Sequence, residues 1–433
     1  MTLTPALDLF PLAAAVLSAI CCGLLGNFLV LRRLSLMGDA MSHSVLPGLV
    51  VAFMLTGSRA APVMFAGAAA AGLVTVLLVE LVKRLGRLEP GAAMGVVFSV
   101  MFALGVLLIE RVARNTDLDA ECVLHGQLET LIFDGPMRWG SLRWSAVLEH
   151  APPAVWTLAL TAALCLAVVA LLYKELRLAA FDPQLASALG FNATGLHVLL
   201  MVLVAAAVVA SFEAVGSILV IAMLIVPAAT ARLLTDRLIT QLLVSLAVAV
   251  ASAVLGYVGA TAVPQALGAG PVNAAGAIAV VLGVMLALAA AFSPSHGVLA
   301  GAIRRMRMAR RIALDDLLAE LYRLEERAAG PPASSEPSAD GSAMDLPAGV
   351  LARARAMGLV RKDGLALTEP GRRKAQELVR RHRLWEAYLV QRAGLPPDHV
   401  HDPAQRLEHI EQAQPPQHEP TDPHGRAIPP KAP

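Results

Sequence analysis

One carboxylate and one imidazole occur together in an otherwise apolar part of the sequence. Asp39 and His43 lie in the stretch RRLSLMGDAMSHSVLPG, residues 32–48. A spacing of four residues places both on one face of a helix, about one turn apart. Ionisable groups inside a membrane span are costly and usually functional, and this pair of donors suits a divalent transition metal such as manganese, zinc or iron. The alternative is that both groups lie at the polar interface and hydrogen-bond to Ser35, Ser42 or the backbone.

The composition is that of a membrane protein with a water-facing extension. Of the 433 residues, 57% are hydrophobic and only 16% are charged, unlike an ordinary soluble protein. Aromatic residues make up only 4%, which favours helices packed through small residues. Charged residues are sparse before about Ser295 and dense after it. The sequence therefore predicts a membrane region followed by a region in water.

About nine apolar runs are long enough to cross a membrane as helices. They are 10–31, 36–56, 62–82, 92–109, 153–173, 196–212, 214–234, 238–262 and 274–292. The break at 211–213 leaves open two short spans or a bent pair. We predict an all-α polytopic membrane protein with eight or nine transmembrane helices, followed by a small winged-helix-like or helical domain.

Lysine and arginine decide the predicted orientation, because in short loops they stay on the cytoplasmic side. The basic clusters all fall on one side of the alternating spans, at 32–33, 83–87, 174–177, 232–237 and 304–311. The N-terminus and the remaining loops fall on the other side. We therefore expect the N-terminus outside and the charged C-terminal region in the cytoplasm.

The loop at 181–192, FDPQLASALGFN, is predicted to carry a short surface helix. Asp182 and Pro183 form a turn dipeptide, and Leu185, Ala188 and Leu189 then fall on one side of an amphipathic stretch. An exposed apolar edge at the cytoplasmic surface suggests protein docking, while the alternative is a simple interfacial helix. No Walker A pattern occurs in the chain, so we expect it to hydrolyse no nucleotide itself.

Three stretches closely resemble the permease subunits of bacterial ABC importers for manganese, zinc and iron. They are RRLSLMGDAMSHSVLPG, KELRLAAFDPQLASALG and AVGSILVIAMLIVPAATARLLTDR, and the resemblance extends to about Ser293. It implies a helical importer core in the bacterial inner membrane that works as a dimer, either of identical chains or with a paralogue. It also implies an extracytoplasmic metal-binding protein that delivers the metal and a cytoplasmic ATPase that drives transport.

The same resemblance assigns roles to residues of this chain. Asp39 and His43 match the aspartate and histidine that line the metal path in that family. The residues that match its ATPase-coupling loop are Phe181, Asp182, Pro183, Leu185, Ala188, Leu189 and Gly190. The metal is then cargo, and no permanently bound cofactor is expected. A secondary transporter is the alternative, but the paired broken helices usual in that class are not evident.

The C-terminal region divides into four predicted segments after the membrane domain of residues 1–295. A periodic apolar pattern predicts an amphipathic connecting helix over 296–329. Residues 330–345 are rich in Gly, Pro, Ser and Ala and are typical of a flexible linker. A small domain is predicted over 346–411, and the Pro-rich tail at 412–433 is expected to be disordered.

The small C-terminal domain resembles the C-terminal half of diphtheria-toxin-repressor-like metal-dependent regulators. The stretches LTEPGRRKAQELVRRHRLWEAYLV and VHDPAQRLEHI carry the likeness. It implies a cytoplasmic metal site at or beside His382, Glu386, His401, Glu408 and His409, with Asp316 a counterpart of a ligand on the first helix. The domain is expected to be a metal sensor or a packing module of the permease.

A membrane-tethered, metal-responsive regulator is the further alternative for the whole chain. It would need an intact recognition helix, and the linker replaces much of the helix-turn-helix, so no specific nucleic acid is expected as a partner. The basic residues of this region can instead face anionic membrane lipid; they are Arg353, Arg355, Arg361 and Lys362.

Overall fold

The fold is almost wholly α-helical, as the composition and periodicity predict. The structure, a computed structural model, describes residues 5–34, 36–58, 61–112, 128–131, 150–266, 268, 270, 272–329, 348–409, 421–424 and 426–430. The chain forms two compact units, Met1–Ala300 and Gly301–Pro433, called here the membrane unit and the C-terminal unit. In the described ranges, β-structure is limited to two isolated antiparallel bridges.

The membrane unit is built from long apolar helices that satisfy their own backbone hydrogen bonds, as a chain in lipid must. The first six helices are α1 (Pro5–Leu31), α2 (Leu36–Ser44), α3 (Leu46–Thr56), α4 (Ala61–Gly86), α5 (Pro90–Val112) and α6 (Pro153–Leu171). The next six are α7 (Tyr173–Phe181), α8 (Pro183–Ala188), α9 (Ala193–Val215), α10 (Ser217–Leu234), α11 (Leu238–Ala266) and α12 (Ala274–Phe292). Eight of the described helices are long and apolar enough to span a membrane, so this is a multi-pass membrane protein.

The run expected as one span over 36–56 is divided in the structure. Helix α2 ends at Ser44, and α3 begins at Leu46 with Pro47 in its first turn. Proline lacks the N–H that would continue the preceding helix and favours a helix start instead. Because α3 has only 11 residues, neither piece is a full-length span.

The break expected at 211–213 lies at residue 216 in the structure. Helix α9 continues through 211–213 and ends at Val215, and α10 begins at Ser217. Gly216 between them has a φ of 78°, a backbone conformation that favours glycine. The two helices are therefore separate spans joined by one residue.

Helix α1 lies at the centre of the membrane unit and packs against α10, α11, α6 and α9. A Cβ at Gly26 would overlap the carbonyl oxygen of Leu224. Helices α1 and α10 can therefore approach this closely only because residue 26 has no side chain. A buried polar link joins α1 to α11, in which Gln241 Nε2 donates to Asn27 Oδ1 at 3.1 Å. A glycine and a buried polar contact therefore hold α1 against α10 and α11.

The C-terminal unit packs four helices around a small apolar core. They are α13 (Val298–Ala329), α14 (Ala348–Ala356), α15 (Glu369–Gln391) and α16 (His401–Glu408). An antiparallel bridge joins Val360 to Leu367 in the segment between α14 and α15. The core consists of Leu314, Leu317, Leu318, Leu321, Ala354, Val360, Leu367 and Ala375. The linker predicted at 330–345 lies outside the described residues.

Part of the tail predicted at 412–433 makes specific contacts in the structure. In its described residues, 421–424 and 426–430, Thr421 pairs with Ala427 and the Asp422 side chain accepts backbone hydrogen bonds from His424 and Arg426. Side chains of α15 hold this segment through its carbonyl oxygens, as when Arg380 Nη1 donates to Pro429 O at 2.6 Å. Proline carbonyls that accept from arginine give an ordered segment without helix or strand.

Candidate functional site

Helix α2 carries the two residues singled out first. Positions 39 and 43 both lie within Leu36–Ser44, four residues apart on a continuous helix. The side chains of Asp39 and His43 lie outside the described part of the structure. Among the described side chains of α2, Met37, Ala40, Met41 and Ser44 are buried and form a stripe at helical spacing that packs into the core.

A charged network joins three helices at the end of α1. Arg32 Nη1 lies 2.7 Å from His197 Nδ1, and His197 Nε2 lies 3.9 Å from Glu80 Oε2. Glu80 also accepts from Arg84 Nε at 2.9 Å and from Lys83 Nζ at 3.2 Å. The i,i+4 pair of Glu80 with Arg84 is readable from the sequence. The contacts with His197 are not, because 165 positions separate it from Arg32.

The predicted coupling loop forms a capped helix with an apolar surface. Asp182 is the N-cap of α8, and its carboxylate accepts from the backbone N–H groups of Gln184 at 3.0 Å and Leu185 at 2.9 Å. Gly190 ends the turn with a φ of 88°. The exposed residues of the loop include every predicted coupling residue, namely Phe181, Asp182, Pro183, Leu185, Ala188, Leu189 and Gly190. Such a cluster of exposed apolar side chains is suited to a protein partner.

In the C-terminal unit, three side chains converge as a set of metal donors. His382 Nε2 lies 3.0 Å from Glu386 Oε1 and 3.0 Å from His401 Nδ1, and His401 Nδ1 lies 3.0 Å from the same Glu386 oxygen. His382 and Glu386 are buried, and the His401 side chain is 56% exposed. Helix α15 places the first two on one face, and the start of α16 supplies the third. The three atoms form a nearly equilateral triangle with one open side.

The spacing of this triangle fits a bound dication. Ligand atoms lie about 3.0 Å apart when each is about 2.1 Å from an ion and neighbouring ligands subtend about 90°. Two imidazoles and one carboxylate are ligands that manganese, iron and zinc accept. The residues present therefore fit a divalent transition metal, which His382, Glu386 and His401 would hold.

The Glu386 carboxyl is held in its ionised form. Burial alone raises its pKa, but hydrogen bonds from His382 and His401, together with the charges of these imidazoles, outweigh burial, and the pKa of Glu386 lies well below its ordinary value. An ionised carboxylate is what metal binding needs. Without an ion, the two histidines supply the positive charge that holds it.

The predicted cytoplasmic site includes two further residues, His409 and Glu408, and neither is part of the triangle as described. His409 Nε2 is 3.3 Å from Asp316 Oδ1, so it joins the end of α16 to α13. The side chain of Glu408 lies outside the described residues. The sequence could place these histidines on helices but could not assign each one to its partners.

The comparisons with known proteins cover both units. Residues 9–134 and 146–292, more than half of the chain, match the ABC 3 transport family. The chain belongs to the ABC 3 transport family. Residues 368–414 of this family member also match the domain described as iron dependent repressor, metal binding and dimerisation domain. Both resemblances drawn from the sequence are thereby confirmed.

Individual relatives agree with the family. The chain is 41% identical over 297 residues to the manganese transport system membrane protein MntD of Bacillus subtilis, covering 69% of this chain and 96% of the relative. It is 38% identical to the zinc transport system membrane protein TroD of Treponema pallidum, covering 70% of this chain and 77% of the relative.

A solved structure with the same membrane architecture is PsaBC from Streptococcus pneumoniae in complex with Fab. It matches this ABC 3 family chain with a TM-score of 0.53 and 28% identity, over 66% of this chain and 92% of that one. The matched lengths leave the C-terminal unit as an addition to a near-complete family core.

Proposed function

We propose that this chain is the translocation subunit of an ATP-driven importer that moves a divalent transition metal, manganese first among manganese, zinc and iron, into the cytoplasm. The observation that carries the proposal is the 41% identity to a manganese transport membrane protein over 96% of its length. The N-terminus is outside and the C-terminal unit is in the cytoplasm, as the alternating basic clusters indicate. This orientation needs an odd number of crossings, so α2 and α3 together cross the membrane once in addition to the eight long helices.

The metal path is formed by helix α2. Asp39 and His43 replace part of the hydration shell of the ion, with an oxygen and a neutral imidazole nitrogen one turn apart. Both protomers of the proposed dimer contribute these two residues to the path. A path between two protomers receives two carboxylates and two imidazoles. Its affinity must stay modest so that the ion can leave.

Energy comes from a partner ATPase that engages helix α8. The Asp182 cap stabilises the start of this short helix. The flanking side chains of Phe181 and Leu189 are 59% and 60% exposed and present an apolar surface. Binding of the ATPase at this surface buries them. Movement of α8 with the ATPase then alternates access to the metal path.

Uptake of radiolabelled metal tests this function. We expect Asp39→Ala to abolish manganese uptake by cells that express the full transport system, while the protein still inserts in the membrane. Glu89→Ala is the matched control, because Glu89 is an exposed acid outside α2. Competition by unlabelled zinc and iron gives the cargo preference. Normal uptake by Asp39→Ala would refute the assigned path.

A second function is favoured by the triangle of His382, Glu386 and His401. We propose that the C-terminal unit binds the imported dication as a cytoplasmic metal sensor. The 3.0 Å donor spacing and the buried, ionised Glu386 support a preformed site. When bound, the ion supplies a positive charge that ties α15 to the start of α16.

Metal binding by the full chain tests the sensor. In an Asp39→Ala background, which removes the transport site, we expect equilibrium dialysis to detect one manganese ion per chain that Glu386→Gln releases. His399→Gln is the control, because His399 is 73% exposed and lies just before α16. Unchanged manganese binding by Glu386→Gln would exclude this site.

A further inference from the structure

The charged network at the end of α1 has a role that neither the family likeness nor the sequence assigns. We infer that the hydrogen bond between Arg32 and His197 is a positioning contact that fixes where helix α2, and with it the metal path, begins. The inference rests on the proposed function only in taking Asp39 and His43 as the residues of that path.

The chain geometry between Arg32 and α2 is short and tight. Arg33 N–H donates to Val30 O at 3.1 Å and Leu34 N–H donates to Leu29 O at 2.9 Å, which closes α1 with a Schellman motif. Arg33 occupies the left-handed position of this motif with a φ of 58°. A non-glycine residue is strained in this conformation, so other contacts must hold the turn.

The side chain of Arg32 links this turn to another helix. Its Nη1 lies 2.7 Å from Nδ1 of His197, near the start of α9. Its Nε is buried and has no hydrogen-bond partner in the described part of the chain. Burial also lowers the pKa of Arg32, as expected for a guanidinium removed from water. Because the Arg32 guanidinium is partly removed from water, its hydrogen bond to His197 matters more than it would on an exposed surface.

The identity of the donor fixes the state of His197. A guanidinium only donates, so Nδ1 of His197 must be the lone-pair nitrogen and the ring must be neutral, with its proton on Nε2. That nitrogen faces Glu80 Oε2 at 3.9 Å, and Glu80 is in turn held by Lys83 and Arg84 on α4. The ring therefore connects the end of α1 to α4 through one tautomer.

The consequence for transport follows from distance along the chain. Asp39 comes seven positions after Arg32, within the first turn of α2. Loss of the Arg32 contact removes a tether from the α1–α2 turn while the buried stripe of α2 remains packed. Mutation of residues that orient metal ligands without binding the metal themselves typically lowers metal affinity or activity by roughly tenfold to 100-fold. We expect a change in apparent affinity for the ion, not a loss of fold.

Two replacements of His197 separate the hydrogen bond from the space it fills. His197→Asn keeps an acceptor where Nδ1 stands, and His197→Phe keeps a flat ring without one. We expect His197→Phe to raise the KM for manganese uptake about tenfold, with membrane content and Tm close to those of the original protein. His197→Asn should restore most of the loss. Arg87→Gln, at an exposed arginine after α4, is the control for loss of a cation.

A double-mutant cycle completes the test. If Arg32→Gln and His197→Phe remove the same contact, the double variant should have no higher KM than the worse single variant. Should His197→Phe fail to accumulate, His197→Leu takes its place in the cycle, because a leucine side chain also lacks an acceptor. Equal KM values for the original protein and His197→Phe, equal damage from Phe and Asn, or additive effects would each overturn the inference.

The pH profile provides a readout that a packing role would not move. Acid protonates Nδ1 of His197 and ends its bond to Arg32, in a setting where the facing charges are Arg32 from α1 and Glu80 and Lys83 from α4. We expect uptake by the original protein to fall further at acid pH than uptake by His197→Asn. Identical profiles would overturn the inference. Asp39→Ala is measured in parallel, and normal uptake by it would instead refute the proposed path.

Discussion

Arg383 Nη2 lies 2.5 Å from Glu326 Oε2, which joins the middle of α15 to the end of α13. Arg383 is buried, and its Nη1 also donates to Ala427 O at 2.6 Å, while its Nε lies 3.8 Å from the fully buried Asp422 carboxylate. One guanidinium thus holds two helices and the end of the chain. It also lies next in sequence to His382, the first residue of the donor triangle.

We predict that Arg383→Ala destabilises the C-terminal unit by about 3 kcal/mol, because it removes the guanidinium that faces the buried Asp422 carboxylate together with the contacts to Glu326 and Ala427. Hydrogen exchange of α15 in the purified full chain measures this loss. Arg373→Ala on the same helix is the control. Arg373 and its partner Glu369 are both more than half exposed, and such pairs contribute about 0–1 kcal/mol. Equal exchange rates in the two variants would contradict the prediction.

Gly26→Ala should prevent normal folding of the membrane unit. The new methyl would overlap the Leu224 carbonyl, which is backbone and cannot rotate away, so α1 and α10 would have to separate. We expect most of the folded protein to be lost in size-exclusion chromatography. Gly283→Ala in α12 is the matched control, since a methyl there meets no atom within 4 Å. A stable Gly26→Ala protein would mean that the close packing of α1 is not required.

Replacing the α8 cap should uncouple the ATPase without affecting the metal path. Asp182→Ala removes both side-chain hydrogen bonds to the helix start and costs about 1 kcal/mol of helix stability. For a helix of six residues, that loss leaves the docking surface poorly ordered. We predict weaker ATPase binding and lower uptake, with Asp182→Asn close to normal because asparagine caps equally well. Equal impairment by Ala and Asn would point to the charge of Asp182 instead.

His409→Ala should leave the manganese affinity of the C-terminal unit unchanged. Its ring contacts Asp316 at 3.3 Å and supplies no atom to the triangle of His382, Glu386 and His401. Equilibrium dialysis in the Asp39→Ala background compares it with His401→Ala, for which we expect roughly a tenfold or greater loss of affinity. A matching loss in His409→Ala would show that the two groups of donors act together.

Features that depend on residues close together in the sequence could be predicted, and features that depend on residues far apart could not. Apolar runs, caps and turn residues act within a few positions, so the all-α class, most spans and the helix at 183–188 could be predicted. The break before Pro47 was missed because the apolar run continues unbroken in composition across it. The predicted domain limits and the roles of Asp39 and His43 remain predictions.

The sequence by itself determined that this is a helical membrane protein of a metal-transport type with a metal-regulator-like extension, because composition and motif spacing are local properties that no packing can change. Only the tertiary structure decided that His197 accepts from Arg32, that His401 completes the donor triangle with His382 and Glu386, and that Arg383 holds the end of the chain. These pairs lie 15 to 165 positions apart. Contacts over such separations depend on how helices pack against one another, which the spacing of residues along one helix does not specify.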